Sequence, residues 1–298
     1  MKLSANFIKS LVESNKPIDI VGSQLLKIWL EAARTASNTG DFYYKGEREA
    51  RAFEDFVLKA YAELYNLLAR ECINGSVFQK YPDATFIVMD GMSLREGVLV
   101  YNMLKNKGEG VLEYSFSAIP SDTIAFREKM KVPMSNFKEI NDPKNIRLSG
   151  DEKYIWSRFP DVMLDKIQVG HTVISSLEEM YGIAARIVEE VMGKLNATEI
   201  IILSDHGYLR SESGFVFTTP TKATTKLQHV FGSARYISMN DADASDLVEE
   251  GYVEEFGGYY LVKSRYVWPV SGKYSIYLHG GLSLMECFTP VIKVHKEL

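Results

Sequence analysis

Residues 200–208, I-I-I-L-S-D-H-G-Y, constrain the fold more than any other stretch of the chain. Four consecutive branched or long apolar residues, Ile200 to Leu203, suit a strand buried on both faces, as in a parallel sheet covered by helices. The run stops at Asp205 and His206, two side chains able to ligate a metal. In an open α/β sheet the carboxyl ends of the strands are where ligands bind. Gly207 then lets the backbone turn at once.

The same punctuation recurs along the chain. Residues 85–90, T-F-I-V-M-D, read as a short apolar strand ending in an acid, followed by Gly91 and a helix over about 93–105. Residues 111–118 alternate apolar and polar before Pro120. A further strand over 154–159 ends at Pro160 and Asp161, and 165–195 carries the spacing of one long helix. Beyond the opening strand come a strand at 234–238, a short acidic helix at 241–250 and a hairpin at 252–262 turning on Gly257 and Gly258. Residues 274–278 form a strand ending at His279, Gly280 and Gly281, and 291–295 close the set. Strands alternating with helices predict an α/β fold: a largely parallel sheet with helices on both faces, over residues 76–298.

Residues 1–75 read differently. Apolar stripes at helical spacing run through 20–34 and again through 50–70, with a turn at 37–44 between them. This predicts a small helical N-terminal subdomain or arm, packing against the main body or against a partner chain.

Composition narrows the function classes. A net charge of -5 argues against a dedicated binder of nucleic acid or anionic membrane. Two cysteines, Cys72 and Cys287, are too few for a disulfide framework. No apolar run approaches the ~20 residues of a membrane span, and the opening M-K-L-S-A-N-F-I-K-S lacks a leader's apolar core. A cytoplasmic protein with no membrane partner is the expectation.

If the sheet is parallel, Asp90, Asp161, Asp205, His206 and His279 meet on one rim. Residues 119–127, I-P-S-D-T-I-A-F-R, add the hydroxyls of Ser121 and Thr123 and the guanidinium of Arg127. Carboxylates with imidazoles and no thiolate suit zinc, manganese or magnesium. Asp161 and Asp165 lie four apart, on one face of a helix, where they could share an ion; they equally suit the acids that oppose a helix dipole. Helical geometry turns His171 off that face.

Four motifs together resemble the PglZ domain, a branch of the alkaline phosphatase superfamily. They are D-G-M-S-L-R-E-G at 90–97, I-P-S-D-T-I-A-F-R at 119–127, S-D-H-G at 204–207 and H-G-G-L-S-L-M-E at 279–286. The resemblance runs from about residue 85 to 294 and leaves the helical first quarter outside. It implies a metal-dependent phosphohydrolase, a phosphatase or phosphodiesterase, with two divalent ions, zinc first among them, and a hydroxyl nucleophile. On this reading Thr123 is the nucleophile and also a metal contact, with Ser121 the competing hydroxyl. Asp90, Asp205 and His206 hold one ion. His279 holds the other with Asp161 and Asp165, the latter standing where the superfamily usually has histidine. Arg127 would hold a phosphate oxygen. The implied partner is a phosphate-ester substrate, nucleotide-derived esters included, with a protein partner on the N-terminal helices as a further expectation. Sulfatases and phosphonate-cleaving enzymes share the same scaffold. The alternative is a non-catalytic PglZ-like module in a phage-defence or signalling assembly.

Overall fold

The computed structural model describes residues 5–105, 110–168, 177–270 and 275–296. Five helices come first: α1 (Ala5–Glu13), α2 (Pro17–Thr35), α3 (Thr39–Ala60), α4 (Leu64–Ile73) and the short α5 (Val77–Lys80). Then strands and helices alternate through β1 (Thr85–Met89), α6 (Leu94–Lys105), β2 (Val111–Phe116), α7 (Thr123–Met130), β3 (Lys138–Ile140) and β4 (Tyr154–Ser157). They continue through α8 (Asp161–Gln168), α9 (Leu177–Lys194), β5 (Glu199–Leu203), β6 (Leu209–Arg210), α10 (Thr221–Phe231) and β7 (Tyr236–Ser238). The described chain closes with α11 (Ser245–Glu249), β8 (Val253–Phe256), β9 (Tyr259–Val262), β10 (Tyr277–Leu278), α12 (Leu284–Cys287) and β11 (Phe288–His295). No helix among the described residues is long and apolar enough to cross a membrane.

The central sheet has the order β2-β11-β5-β1-β4-β3. β5, β1, β4 and β3 run parallel to one another, while β11 is antiparallel to both β5 and β2. Both faces are covered, which explains the unbroken apolar runs. Ile200 and Ile202 point to the side packed by Val100 and Leu104 of α6 and by Met180, Ile187 and Val191 of α9. Ile201 and Leu203 point to the other side, with Phe78 of α5 and Phe126 and Met130 of α7. Every other residue of a strand faces the same way, so a strand covered twice must be apolar throughout.

Several boundaries differ from the sequence expectation. The helix expected over 50–70 is two, because α3 ends at Ala60 and α4 begins at Leu64. The turn expected at 37–44 is instead the start of α3: the Asn38 side chain accepts the main-chain N–H of Asp41 at 2.8 Å and caps the helix. Phe42 and Tyr43 then fall in its first turns and are buried. The helix expected over 165–195 begins earlier, as α8 at Asp161, and its later part is described as α9 from Leu177 to Lys194. His171 and the side chain of Asp165 lie outside the described residues. The strand before His279 belongs to a separate ribbon, β10 paired with β6, rather than to the central sheet.

The N-terminal helices share one apolar cluster with the body. Leu25, Trp29, Phe53, Leu64 and Leu68 pack with Leu94, Leu209, Leu282 and Phe288. A buried ionic network runs beside it. Glu47 pairs with Arg95 and, at 3.0 Å, with Arg265, while Glu54 pairs with Arg265 at 2.8 Å. A small sheet, β7-β9-β8, packs on α10 and α11 through Leu227, Phe231, Leu247 and Val253.

Candidate metal centre

Three strand ends, one helix start and one ribbon end deliver the site. β1 ends at Asp90, whose N–H donates to the Ser157 carbonyl at 2.9 Å, while its own carbonyl accepts the N–H of Asp161 at 3.0 Å. The end of β4 is thereby tied beside that of β1. Gly91 turns the chain with φ +69°, and its N–H donates to Asp205 Oδ1 at 2.9 Å. Only glycine takes that backbone angle without strain, and an added Cβ would stand 3.1 Å from that of Asp161. The Ser204 hydroxyl lies 2.9 Å from the carbonyl oxygens of both Met89 and His206, shares its one proton between them, and locks the end of β5.

Thr123 opens α7 behind a capped start, where Asp122 accepts the N–H of Ala125 at 2.8 Å. Its hydroxyl sits between two carboxylates, 2.7 Å from Asp205 Oδ2 and 3.2 Å from Asp90 Oδ1. Ser121 points elsewhere. Its buried hydroxyl donates to the Gly281 carbonyl at 2.8 Å and accepts the Gly280 N–H at 3.1 Å.

Among the described residues two overlapping groups of potential ligand atoms result, each within 4.8 Å: Asp90, Asp205 and His206, and Asp161, His206 and His279. The rings of His206 and His279 stack with centroids 4.4 Å apart at 19°. Asp205 and His206 are buried, Asp161 is half-buried and His279 is exposed.

The electrostatics call for a cation. Burial first, then the charges of Asp205 and Asp161, raise the pKa of Asp90 to about 8. For His206 burial works against charge, yet Asp205, Asp161 and Asp90 outweigh it and raise its pKa to about 9. His206 Nδ1 lies 2.9 Å from the Gly207 carbonyl and donates to it, so Nε2 is the nitrogen that faces the acids. That Nε2 is buried without a hydrogen-bond partner, 4.0 Å from Asp90 Oδ1 and 3.8 Å from Asp205 Oδ2. Such separations are too long for hydrogen bonds but match atoms sharing an ion at about 2.1 Å each. Nitrogen and oxygen donors without sulfur fit a divalent ion of the zinc, manganese or magnesium kind.

A family model described as the BREX system PglZ alkaline phosphatase-like domain matches residues 128–294, more than half of the chain. The chain belongs to the PglZ family. The match begins after Asp90 and Thr123, so geometry, not the match, joins those two to the rest of the PglZ site. An "Alkaline phosphatase-like protein PglZ" from Bacillus cereus (strain H3081.97) is 21% identical over 183 residues, which is 59% of this chain. The chain spans about a fifth of the length of that relative (21%). Among solved structures, the phosphonoacetate hydrolase of Sinorhizobium meliloti 1021 with phosphonoformate aligns at TM-score 0.39 and 14% identity, over 70% of this chain and 89% of that one. The same hydrolase with phosphonoacetate aligns at TM-score 0.28 and 13% identity, over 74% and 68%. Neither superposition is close.

The structure brings Asp90 and Thr123, which precede the matched residues, together with Asp161, Asp205, His206 and His279 within them. Arg127 is exposed, its guanidinium 4.9 Å over the Trp156 ring. Trp156 itself escaped the sequence reading, yet its indole N–H donates to Asp90 Oδ2 at 3.0 Å. The available signal was a tryptophan inside an apolar strand, whose N–H must find an acceptor when buried. Tyr236, which donates to Asp122 at 2.8 Å, carried no sequence signal.

Proposed function

We propose that this domain is a metal-dependent phosphohydrolase that uses Thr123 as its nucleophile. The observation that carries the reading is the Thr123 hydroxyl, held between Asp90 and Asp205 at the edge of a cluster of acids and imidazoles arranged as metal ligands. Asp90, Asp205 and His206 would hold one divalent ion, and Asp161, His206 and His279 a second, with Asp165 of α8 as a further candidate. Bound ions supply positive charge that favours the ionised hydroxyl and steadies the phosphoryl oxygens.

This chain's residues do the remainder. Asp205 and Asp90 orient the Thr123 oxygen through its proton, and the capped start of α7 fixes its direction. Thr123 Oγ1 forms a bond to phosphorus as the ester oxygen leaves, and water then releases phosphate from the threonine. The exposed guanidinium of Arg127, one indole away from Asp90, would meet an anionic substrate. Ser121 is a structural tie, since both of its hydrogen bonds run to the Gly280–Gly281 turn.

The test is turnover of an aryl phosphate and an aryl phosphodiester with zinc, manganese or magnesium supplied. Thr123→Ala should lower the rate by at least ~10²-fold while keeping the fold. Ser121→Ala should lower stability rather than the rate measured on folded protein. A wild type that turns over neither substrate with any of the three metals, while binding them, would replace the hydrolase with a non-catalytic module.

A further inference from the structure

Both histidine-bearing loops are fastened to one buried residue, one through its main chain and the other through its side chain. Glu286, in α12, is fully buried. Its main-chain carbonyl accepts the N–H of Gly207, the residue after His206, at 2.9 Å. Its carboxylate Oε1 accepts the N–H of Gly281, two residues after His279, also at 2.9 Å. The Ser283 hydroxyl accepts Glu286's own N–H at 3.2 Å, so the residue carrying both anchors is itself fixed.

The charge of Glu286 is matched from the small sheet. Arg235, 2% exposed, donates Nε to Oε1 at 2.7 Å and Nη2 to Oε2 at 3.0 Å, a two-point pairing that fixes the carboxylate plane. Its other N–H groups go to the carbonyls of Ser264 at 2.7 Å and Tyr266 at 2.6 Å. The pair is thus tied into the segment after β9 and takes no place among the potential ligand atoms.

We propose that the Arg235–Glu286 pair is a positioning device that sets the spacing of His206 and His279, and so the second ligand group. The chain of contacts is short. One end of Glu286 holds the turn after His206, the other holds the turn after His279, and Arg235 keeps the second end aimed at Gly281. Glu286 sits within the 279–286 motif, whereas Arg235 lies in none of the four. The inference rests on the proposed function only in treating both imidazoles as ligands.

The experiment compares the metal-free wild type with two double variants. Arg235→Met/Glu286→Gln removes both buried charges but keeps an amide oxygen for Gly281. Arg235→Met/Glu286→Leu removes the charges and that acceptor; replacing a buried ion pair by apolar groups is often neutral for stability, so both variants are expected to fold. The readout is the nuclear Overhauser contact between the His206 and His279 ring protons in histidine-labelled protein. It should be present in the wild type and the Gln variant and lost in the Leu variant. Persistence in a folded Leu variant overturns the proposal, and so does its loss in the Gln variant or its absence from the wild type. If the Leu variant does not fold, Glu286→Asp serves. It keeps the charge against Arg235 but withdraws the oxygen from Gly281, with the same predicted loss of contact and the same overturning result. Zinc titration of the same proteins should show at least ten-fold weaker binding in the Leu variant. A wild type that binds no zinc would sink the proposed function, while the ring contact still decides the positioning role.

Discussion

Asp90 has its two oxygens committed to different neighbours, one to the Thr123 hydroxyl and one to the Trp156 indole. The indole N–H is the fixed partner, because Trp156 is buried between Phe126 and Phe137 and cannot swing. Trp156→Phe should therefore keep most of the packing and free the Asp90 carboxylate to rotate. Losing a group that orients a ligand typically costs ~10–100-fold in metal affinity. Calorimetric titration with zinc or manganese, beside a thermal melt to confirm the fold, reads this directly; wild-type affinity in a folded variant would show that Asp90 needs no help from the indole. The acids and histidines were legible in the sequence because they interrupt apolar strands where chemistry is placed. Trp156 was not, since a tryptophan in such a strand reads as core until its N–H partner is known. Thr123 was preferred to Ser121 only through the resemblance; spacing alone does not divide them, and side-chain direction sends one to the acids and the other to Gly281.

At the level of elements, β1, β4 and β5 of the parallel core and the β8–β9 hairpin were legible, whereas the short edge strand β3 and the direction of β11 were not. Residues 200–203 and 86–89 announce themselves because both faces are covered, leaving no polar position. β11 has the same apolar character yet runs the other way, and composition carries no direction. The two-residue pairing of β6 with β10 is too short for any period to show. That ribbon matters, because it brings His279 against His206 from outside the central sheet. Close backbone contact at its start is a second illegible feature. A Cβ on Gly207 would stand 2.1 Å from the Met285 carbonyl oxygen, so the His206 turn and α12 touch main chain to main chain. Gly207→Ala should force them apart, costing about 1–3 kcal/mol as overpacking does and weakening zinc binding along with stability. Gly182→Ala is the matched control: it lies in α9 with nothing within 4 Å of the added methyl, and the exchange should stabilise by about 0.4–1 kcal/mol. Melting curves for the two variants should move in opposite directions.

For the whole molecule, the open matter is how far the N-terminal helices are a separate part. Sequence periodicity showed the helices of 1–75 but not what they cover, and an arm that docks on the body was the expectation. In the structure α3 supplies Glu47 and Glu54, the carboxylate partners of the buried Arg95 and Arg265. Glu54 also accepts the N–H of Leu284 at 2.8 Å, at the start of the helix that carries Glu286. Arg95 in turn donates to the carbonyl of Tyr208 at 2.9 Å, two residues past His206. Without residues 1–75 both arginines would keep their charges and lose their acids, beside an apolar face of Leu94, Leu209 and Phe288 opened to water. Stranding one member of a buried pair costs about 3–5 kcal/mol. Two such losses rival the about 5–15 kcal/mol that holds a whole domain folded. Residues 76–298 alone are therefore expected to show no cooperative thermal transition and no zinc binding, and to regain both when the 1–75 segment is supplied as a separate chain. The fragment carrying Arg95→Met/Arg265→Met tests the cause, since it lacks the stranded charges but still exposes the apolar face; it should recover part of the fold. If the unmodified fragment melts cooperatively and binds zinc as the full chain does, the helices are a docking arm after all, and the buried acids of α3 contribute to docking rather than to the metal centre.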